Sequence, residues 1–161
     1  MDKAANKQDV IAFLKLIQAI CSKAGGLRQG IMTIVQGKQK VGTFYQKADQ
    51  TNGDYAKELL ALVRVVETYM RLYGKEPGMI ADIFKKNNIT TPSKANREEA
   101  EEEAREQYVA CLITNGADNG RYKQLKDALH NQYTMGTDNY PKTIEGAIKI
   151  LNNYKVTTIR V

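Results

Sequence analysis

Apolar positions recur along most of this chain at helical spacing. Val10, Phe13, Leu14, Ile17, Ile20 and Cys21 follow the i, i+3, i+4, i+7 rule and predict an amphipathic helix ended by Gly25-Gly26. A second helix is expected from about Leu27, carrying Ile31, Ile34, Val35, Val41 and Phe44. Gly30, Gly37 and Gly42 lie inside that segment, and each costs up to about 1 kcal/mol of helix propensity. Thr51-Asn52-Gly53 supplies a turn and cap for a third helix, with the stripe Tyr55, Leu59, Leu62, Val63, Val66 and Met70 and with Gly74 closing it. A shorter helix is expected from about Met79 to Lys86, ending at Asn87-Asn88.

Pro92 disfavours helix at Thr91, so Thr90 to Ser93 reads as an extended link, and Ser93 can cap a long helix that holds the acidic run Glu98 to Glu106. The acidic residues lie toward its N-terminal half, where they suit the macrodipole. Farther on, this helix is expected to bury Tyr108, Cys111 and Leu112 and to stop near Asn115-Gly116. A helix from about Asn119 follows, with Tyr122, Leu125, Leu129 and Tyr133 as its stripe. Gly136 to Pro141 is a turn, and Thr143 begins a last helix carrying Ile144, Ala147, Ile148, Leu151 and Tyr154. The tail Val156 to Val161 has β-type composition but no partner strand. The expected fold class is all-α, with about seven helices and no significant sheet.

At 161 residues the chain suits one domain or two small helical lobes. Hydrophobic residues at 42% and charged residues at 26% place it among globular rather than disordered proteins. Twenty-four basic against 18 acidic residues give a net charge of +6, which suits work near polyanions without demonstrating it. No apolar run approaches the ~18 residues that cross a bilayer. The start, Met1 to Asp9, is polar and lacks the apolar core of a secretion signal, so a cytoplasmic protein is expected. Cys21 and Cys111 both fall on apolar helix faces and are expected to be free buried thiols.

Candidate chemistry is sparse. His130 is the only histidine, and two distant cysteines do not complete a Cys/His zinc site, which leaves an all-carboxylate site as the remaining metal arrangement. A Cys-His nucleophilic pair would need a thiol in an exposed, electropositive setting, and neither cysteine has one. Gly25-Gly26-Leu27-Arg28-Gln29-Gly30 lacks the preceding strand and the Gly-Lys-Ser/Thr ending of a phosphate loop. The acidic run reads as a solvated helix face, partly neutralised by Arg97 and Arg105. No catalytic residue, resident metal, cofactor or small-molecule substrate is therefore expected.

Two segments resemble the Gag capsid region of copia-type LTR retrotransposons. The first is Phe44-Tyr45-Gln46, then Thr51-Asn52-Gly53-Asp54-Tyr55, followed by Leu59, Leu62-Val63 and Val66-Glu67. The second runs Tyr108-Val109-Ala110, Gly116-Ala117-Asp118, Arg121-Tyr122, Leu125, Leu129, Asn131 and Tyr133. It continues through Gly136, Asp138-Asn139-Tyr140-Pro141-Lys142-Thr143 and Ala147 to Leu151 and Tyr154. Asp138 to Thr143, written DNYPKT, looks like the family's turn between its last two capsid helices: Pro141 fixes a backbone angle, Asp138 or Asn139 can bond nearby N–H groups, and Thr143 can cap. Two departures stand out. Gln46-Lys47-Ala48 replaces the more usual Arg-Gln-Gly-like start of the first turn, and the Cys-Cys-His-Cys zinc knuckle that often follows such regions is missing.

The resemblance implies retroviral-capsid-like lobes, with residues 1–48 ending an N-terminal lobe and residues 49–161 forming a C-terminal lobe that contains the long acidic helix. It implies a non-enzymatic structural protein that self-associates into virus-like particles around retrotransposon RNA, with the RNA held by weak nonspecific charge contacts. Met32, Tyr69, Tyr73 and Met79 are the candidate exposed apolar residues for self-association. Tyr55, Leu59, Arg121, Tyr122, Asp138, Asn139, Tyr140, Pro141 and Thr143 are the motif residues with structural roles. The alternative is a helical nucleic-acid-binding protein that does not assemble, suggested by Tyr122-Lys123 and Tyr154-Lys155.

Overall fold

The computed structural model describes residues 11, 15, 27–69 and 73–155. The expected stripe from Val10 to Cys21 (as a whole), Met70, and the tail Val156 to Val161 lie outside the described residues. Six α-helices are described: α1 (Leu27–Gly42), α2 (Asn52–Tyr69), α3 (Pro77–Lys86), α4 (Lys94–Gly116), α5 (Asn119–Thr134) and α6 (Ile144–Asn153). No strand occurs among the described residues, and the all-α expectation holds. None of these helices is long and apolar enough to cross a membrane.

The helix starts follow from capping chemistry written in the sequence. Thr51 Oγ1 accepts from the Asp54 N–H at 3.1 Å and opens α2. At α4, Ser93 Oγ accepts from Asn96 N–H at 3.1 Å while Asn96 Oδ1 accepts from Ser93 N–H at 3.0 Å, a reciprocal box. Asp118 accepts from Gly120 and Arg121 N–H to start α5, and Thr143 accepts from Gly146 N–H at 3.0 Å to start α6. Pro77 sits in the first turn of α3, where its missing N–H costs nothing.

The chain forms two compact units: Met1–Phe44 with Glu58–Arg71, and Tyr45–Lys57 with Leu72–Val161. The division falls between Phe44 and Tyr45 and again within α2, after Lys57. In the first unit, α1 is unbroken despite its glycines. A Cβ at Gly37 would stand 3.1 Å from a methyl of Val66, so the glycine permits a close helix approach. The buried face of α1 is Thr33, Gly37 and Val41, whereas Ile31 and Val35, expected within its apolar stripe, are 54% and 51% exposed. Those two residues fall on the opposite side of a 3.6-residue helix, and Phe44 lies beyond its end. Leu59, Leu62, Val63 and Val66 of α2 are buried as expected.

In the second unit α4 is the central element, with α3 and α6 packed on it. Its buried face is Ala100, Ala104, Val109, Ala110, Ile113 and Thr114. Tyr108, Cys111 and Leu112, the expected buried set, are half-buried because the helix is rotated away from them. Small residues at positions 100 and 104 let Ile83 of α3 sit against α4, with Met79, Ile80 and Phe84 around it. Tyr55 is fully buried, and its hydroxyl donates to Ile113 O at 3.1 Å; burial pushes its phenol above the ordinary value. Lys75, Lys86 and Lys94 pair with Glu101, Glu103 and Glu98 along the acidic side of α4, contacts worth little at such exposure.

Gly74 carries the tightest constraint in this unit. Its φ is +86°, and a Cβ there would lie 2.3 Å from the backbone nitrogen of Arg105. Gly74→Ala should therefore lower stability by about 2–4 kcal/mol in urea unfolding, from backbone strain and overpacking together. Gly53→Ala, where the added carbon meets nothing within 4 Å, should change it by less than about 0.5 kcal/mol or raise it slightly.

Candidate functional site

The densest set of polar contacts joins the two segments that carry the family resemblance, about 70 residues apart. Gln46, 4% exposed, is at its centre. Its backbone N–H donates to Gly116 O at 2.7 Å, at the end of α4. Its side-chain Nε2 donates to Gln50 O at 3.1 Å and Asn52 Oδ1 at 2.8 Å, and its Oε1 accepts from Asp118 N–H at 3.1 Å. Asn52 Oδ1 also accepts from the Tyr122 hydroxyl at 3.0 Å, and Asn52 Nδ2 donates to Asn152 Oδ1 at 2.9 Å. The corner between α4 and α5 is thus fastened to the start of α2 and the end of α6.

Two cations complete the junction. Arg121 Nη2 donates to the carbonyls of Lys47 and Gln50 at 3.0 and 2.9 Å, and its Nε pairs with Asp118 at 3.2 Å. Its guanidinium carbon lies 5.4 Å from the Tyr122 ring centre. Lys126 Nζ donates to Asn115 O and Ala117 O at 3.2 and 2.8 Å, satisfying carbonyls left over at the end of α4. Burial lowers the Lys126 pKa against the opposing pull of Asp118 and Asp127.

The second feature is the turn from Asp138 to Thr143. Asp138 Oδ1 accepts from Tyr140 N–H at 3.1 Å, and its other oxygen is bonded by Lys142 Nζ. Asn139 Nδ2 donates to Gln132 Oε1 at 3.0 Å, tying the turn back to α5. Tyr140 meets Tyr133 edge to face, with centroids 6.0 Å apart. Glu106 of α4 accepts from Ile144 N–H at 2.8 Å, so one residue of the acidic run helps start α6. Beside the turn is an open cleft of about 290 Å³, walled by Tyr108, Cys111, Tyr133, Tyr140 and Met79.

The motif residues Tyr55, Leu59, Arg121, Tyr122, Asp138, Asn139, Tyr140, Pro141 and Thr143 all lie in the core, the junction or the turn. The self-association candidates divide differently. Met32 is 54% exposed, Tyr69 is helical with its side chain outside the described set, and Met79 is half-buried against Ile83. Tyr73 is a correction: it is 5% exposed and stacks on Tyr108 at 5.1 Å, because the turn at Gly74 directs it inward. Tyr133, expected on the buried stripe of α5, is 57% exposed because the last turn of that helix runs past the core. Asn52, Lys126 and Glu106 carry contacts that residue type alone did not single out.

Chemistry of other kinds has little foothold among the described residues. His130 is exposed, and burial raises the Cys111 thiol pKa, which works against thiolate formation. No group of three or more His, Cys, Asp or Glu able to hold a metal occurs among them. Comparison with family models, curated proteins and solved structures finds no match to this chain.

Two outcomes follow from the geometry. Gln46→Ala should cost about 2–4 kcal/mol in urea unfolding because it strands Asp118 N–H and removes a donor from Asn52. Gln46→Glu, though nearly isosteric, should cost at least as much, since a carboxylate cannot donate to Gln50 O or Asn52 Oδ1. For the turn, the Lys142 hydrogen bond outweighs the upward push of burial and, helped by Tyr140 N–H and the Lys142 charge, holds the Asp138 carboxyl below its ordinary value. A depressed folded value means the contribution is complete above the unfolded value of about 3.9 and is lost as pH falls through the folded one. Asp138→Asn should therefore be less stable than wild type near pH 7, with the gap closing at about pH 2 in paired urea titrations.

Proposed function

We propose that this chain is a capsid-type structural module of a Gag-like retrotransposon protein, non-enzymatic, which self-associates into particles around the element's RNA. The observation that carries the reading is the junction. Gln46 and Asn52 of the first resembling segment bond directly to Asp118 and Tyr122 of the second. Residues that are each explicable alone as ordinary turn or cap residues thus act together, as expected of one inherited motif set. The capped turn from Asp138 to Thr143 and the all-helical fold are further support. Weak repeated contacts between helical modules can build a stable shell, because closure and multivalency multiply them. RNA is then held by charge rather than by sequence readout.

The alternative, a non-assembling nucleic-acid binder, has less behind it. Single-strand binding relies on exposed aromatic faces, and Tyr122 is 5% exposed with its hydroxyl committed to Asn52. Light scattering over a concentration series, with and without RNA, separates the two readings. Growth of salt-dependent oligomers without RNA is the expected result. A monomer that stays monomeric at high concentration and binds RNA tightly would favour the alternative.

A further inference from the structure

The net charge of this protein is concentrated in one stretch. From Val10 to Ala48 no Asp or Glu occurs, while Lys15, Lys23, Arg28, Lys38, Lys40 and Lys47 do. Those six account for the whole +6, because the rest of the chain holds 18 basic and 18 acidic residues. We propose that the exposed C-terminal half of α1, from Gln36 to Gly42, is the surface that binds RNA, through its phosphate backbone. Taking the polyanion to be RNA rests on the capsid reading; the placement of the surface rests on charge.

The geometry of α1 suits that role. Beyond Val35 its exposed residues are Gln36, Lys38, Gln39, Lys40 and Gly42, while Gly37 and Val41 are buried. Every side chain presented there is a cation or an amide, and both kinds donate to phosphate oxygens. Lys38 and Lys40 form no ion pair among the described residues. Lysines of the second unit are placed otherwise: Lys75, Lys123 and Lys142 pair with Glu101, Asp127 and Asp138. A phosphate reaching Lys38 or Lys40 therefore displaces no carboxylate and meets no repelling one on its own helix. Lys40 in the last turn also suits the helix macrodipole, but the dipole concerns that turn alone and does not explain a carboxylate-free stretch from Val10 to Ala48. A lipid surface fits less well. An interfacial helix buries an apolar face, and the exposed apolar residues Ile31, Met32 and Val35 stop short of this segment.

Fluorescence anisotropy of labelled single-stranded RNA with the full chain, over a sodium chloride series, tests the placement. Lys38→Gln/Lys40→Gln is compared with Lys149→Gln/Lys155→Gln, two exposed lysines of the second unit. Both doubles lose the same charge, and glutamine keeps a helix propensity close to lysine's. The α1 pair should weaken binding at least roughly tenfold near about 0.1 M salt, alike for RNAs of differing sequence, and flatten the salt slope by about 1–2. The other pair should change affinity by less than about twofold, because charge that does not touch phosphate acts only through screened solvent. Equal losses for the two pairs, or no RNA binding by the wild-type chain, would overturn the assignment. Tighter binding to phosphatidylserine vesicles than to RNA, lost with the α1 pair, would assign the surface to lipid instead. Light scattering without RNA keeps the two readings apart. Oligomers in every variant alongside unweakened RNA binding refute the surface and leave the capsid reading standing. Monomers in every variant, with RNA binding lost only in the α1 pair, refute assembly and leave the surface standing.

Discussion

A single buried side-chain amide organises the second unit. Gln46 uses both donors and its acceptor inside the protein, on Gln50 O, Asn52 Oδ1 and Asp118 N–H. Leaving any of these groups unmatched in that position would cost about 1–3 kcal/mol, so the amide holds three chain segments in one arrangement. Arg121 can then serve the carbonyls of Lys47 and Gln50, and Lys126 those of Asn115 and Ala117. The contacts depend on one another: the corner at Gly116–Asp118 must be in place before Arg121 can reach across.

Around this junction, packing follows residue size. Ala100 and Ala104 let α3 approach α4, and Gly74 allows the chain to pass against the backbone at Arg105. Tyr55 fills the space near Ile113 with a ring and anchors it with a hydroxyl. The DNYPKT turn works by the same rule of local satisfaction, with each polar side chain assigned to a nearby backbone or side-chain group. These arrangements fix the positions of helices within the second unit.

Much of this was legible in the residues. Thr51, Ser93 and Thr143 mark helix starts because their oxygens accept from the first-turn N–H groups, and the structure uses all three that way; Asp118 caps α5 likewise, a role the residues alone did not single out. The α2 stripe reads correctly because one face of that helix is buried along its length. Where a helix is apolar on more than one side, periodicity does not choose: Ile31 and Val35 of α1 and Tyr133 of α5 looked as buried as Val41 and Leu129. In α4, alanines carry part of the buried face and the larger Tyr108 and Leu112 stand at its edge, which reverses the expectation from hydrophobicity. The junction was only half visible. Gln46 appeared as part of a family pattern, but a glutamine's burial depends on partners some 70 residues away.

Self-assembly around RNA is the central claim, and nuclease protection combined with electron microscopy tests it most directly. Purified full-length chain, mixed with single-stranded RNA and then treated with ribonuclease, should give closed particles of uniform size with RNA recoverable from inside them. Complete digestion of the RNA, with only monomeric protein on the grids at every concentration, would contradict it.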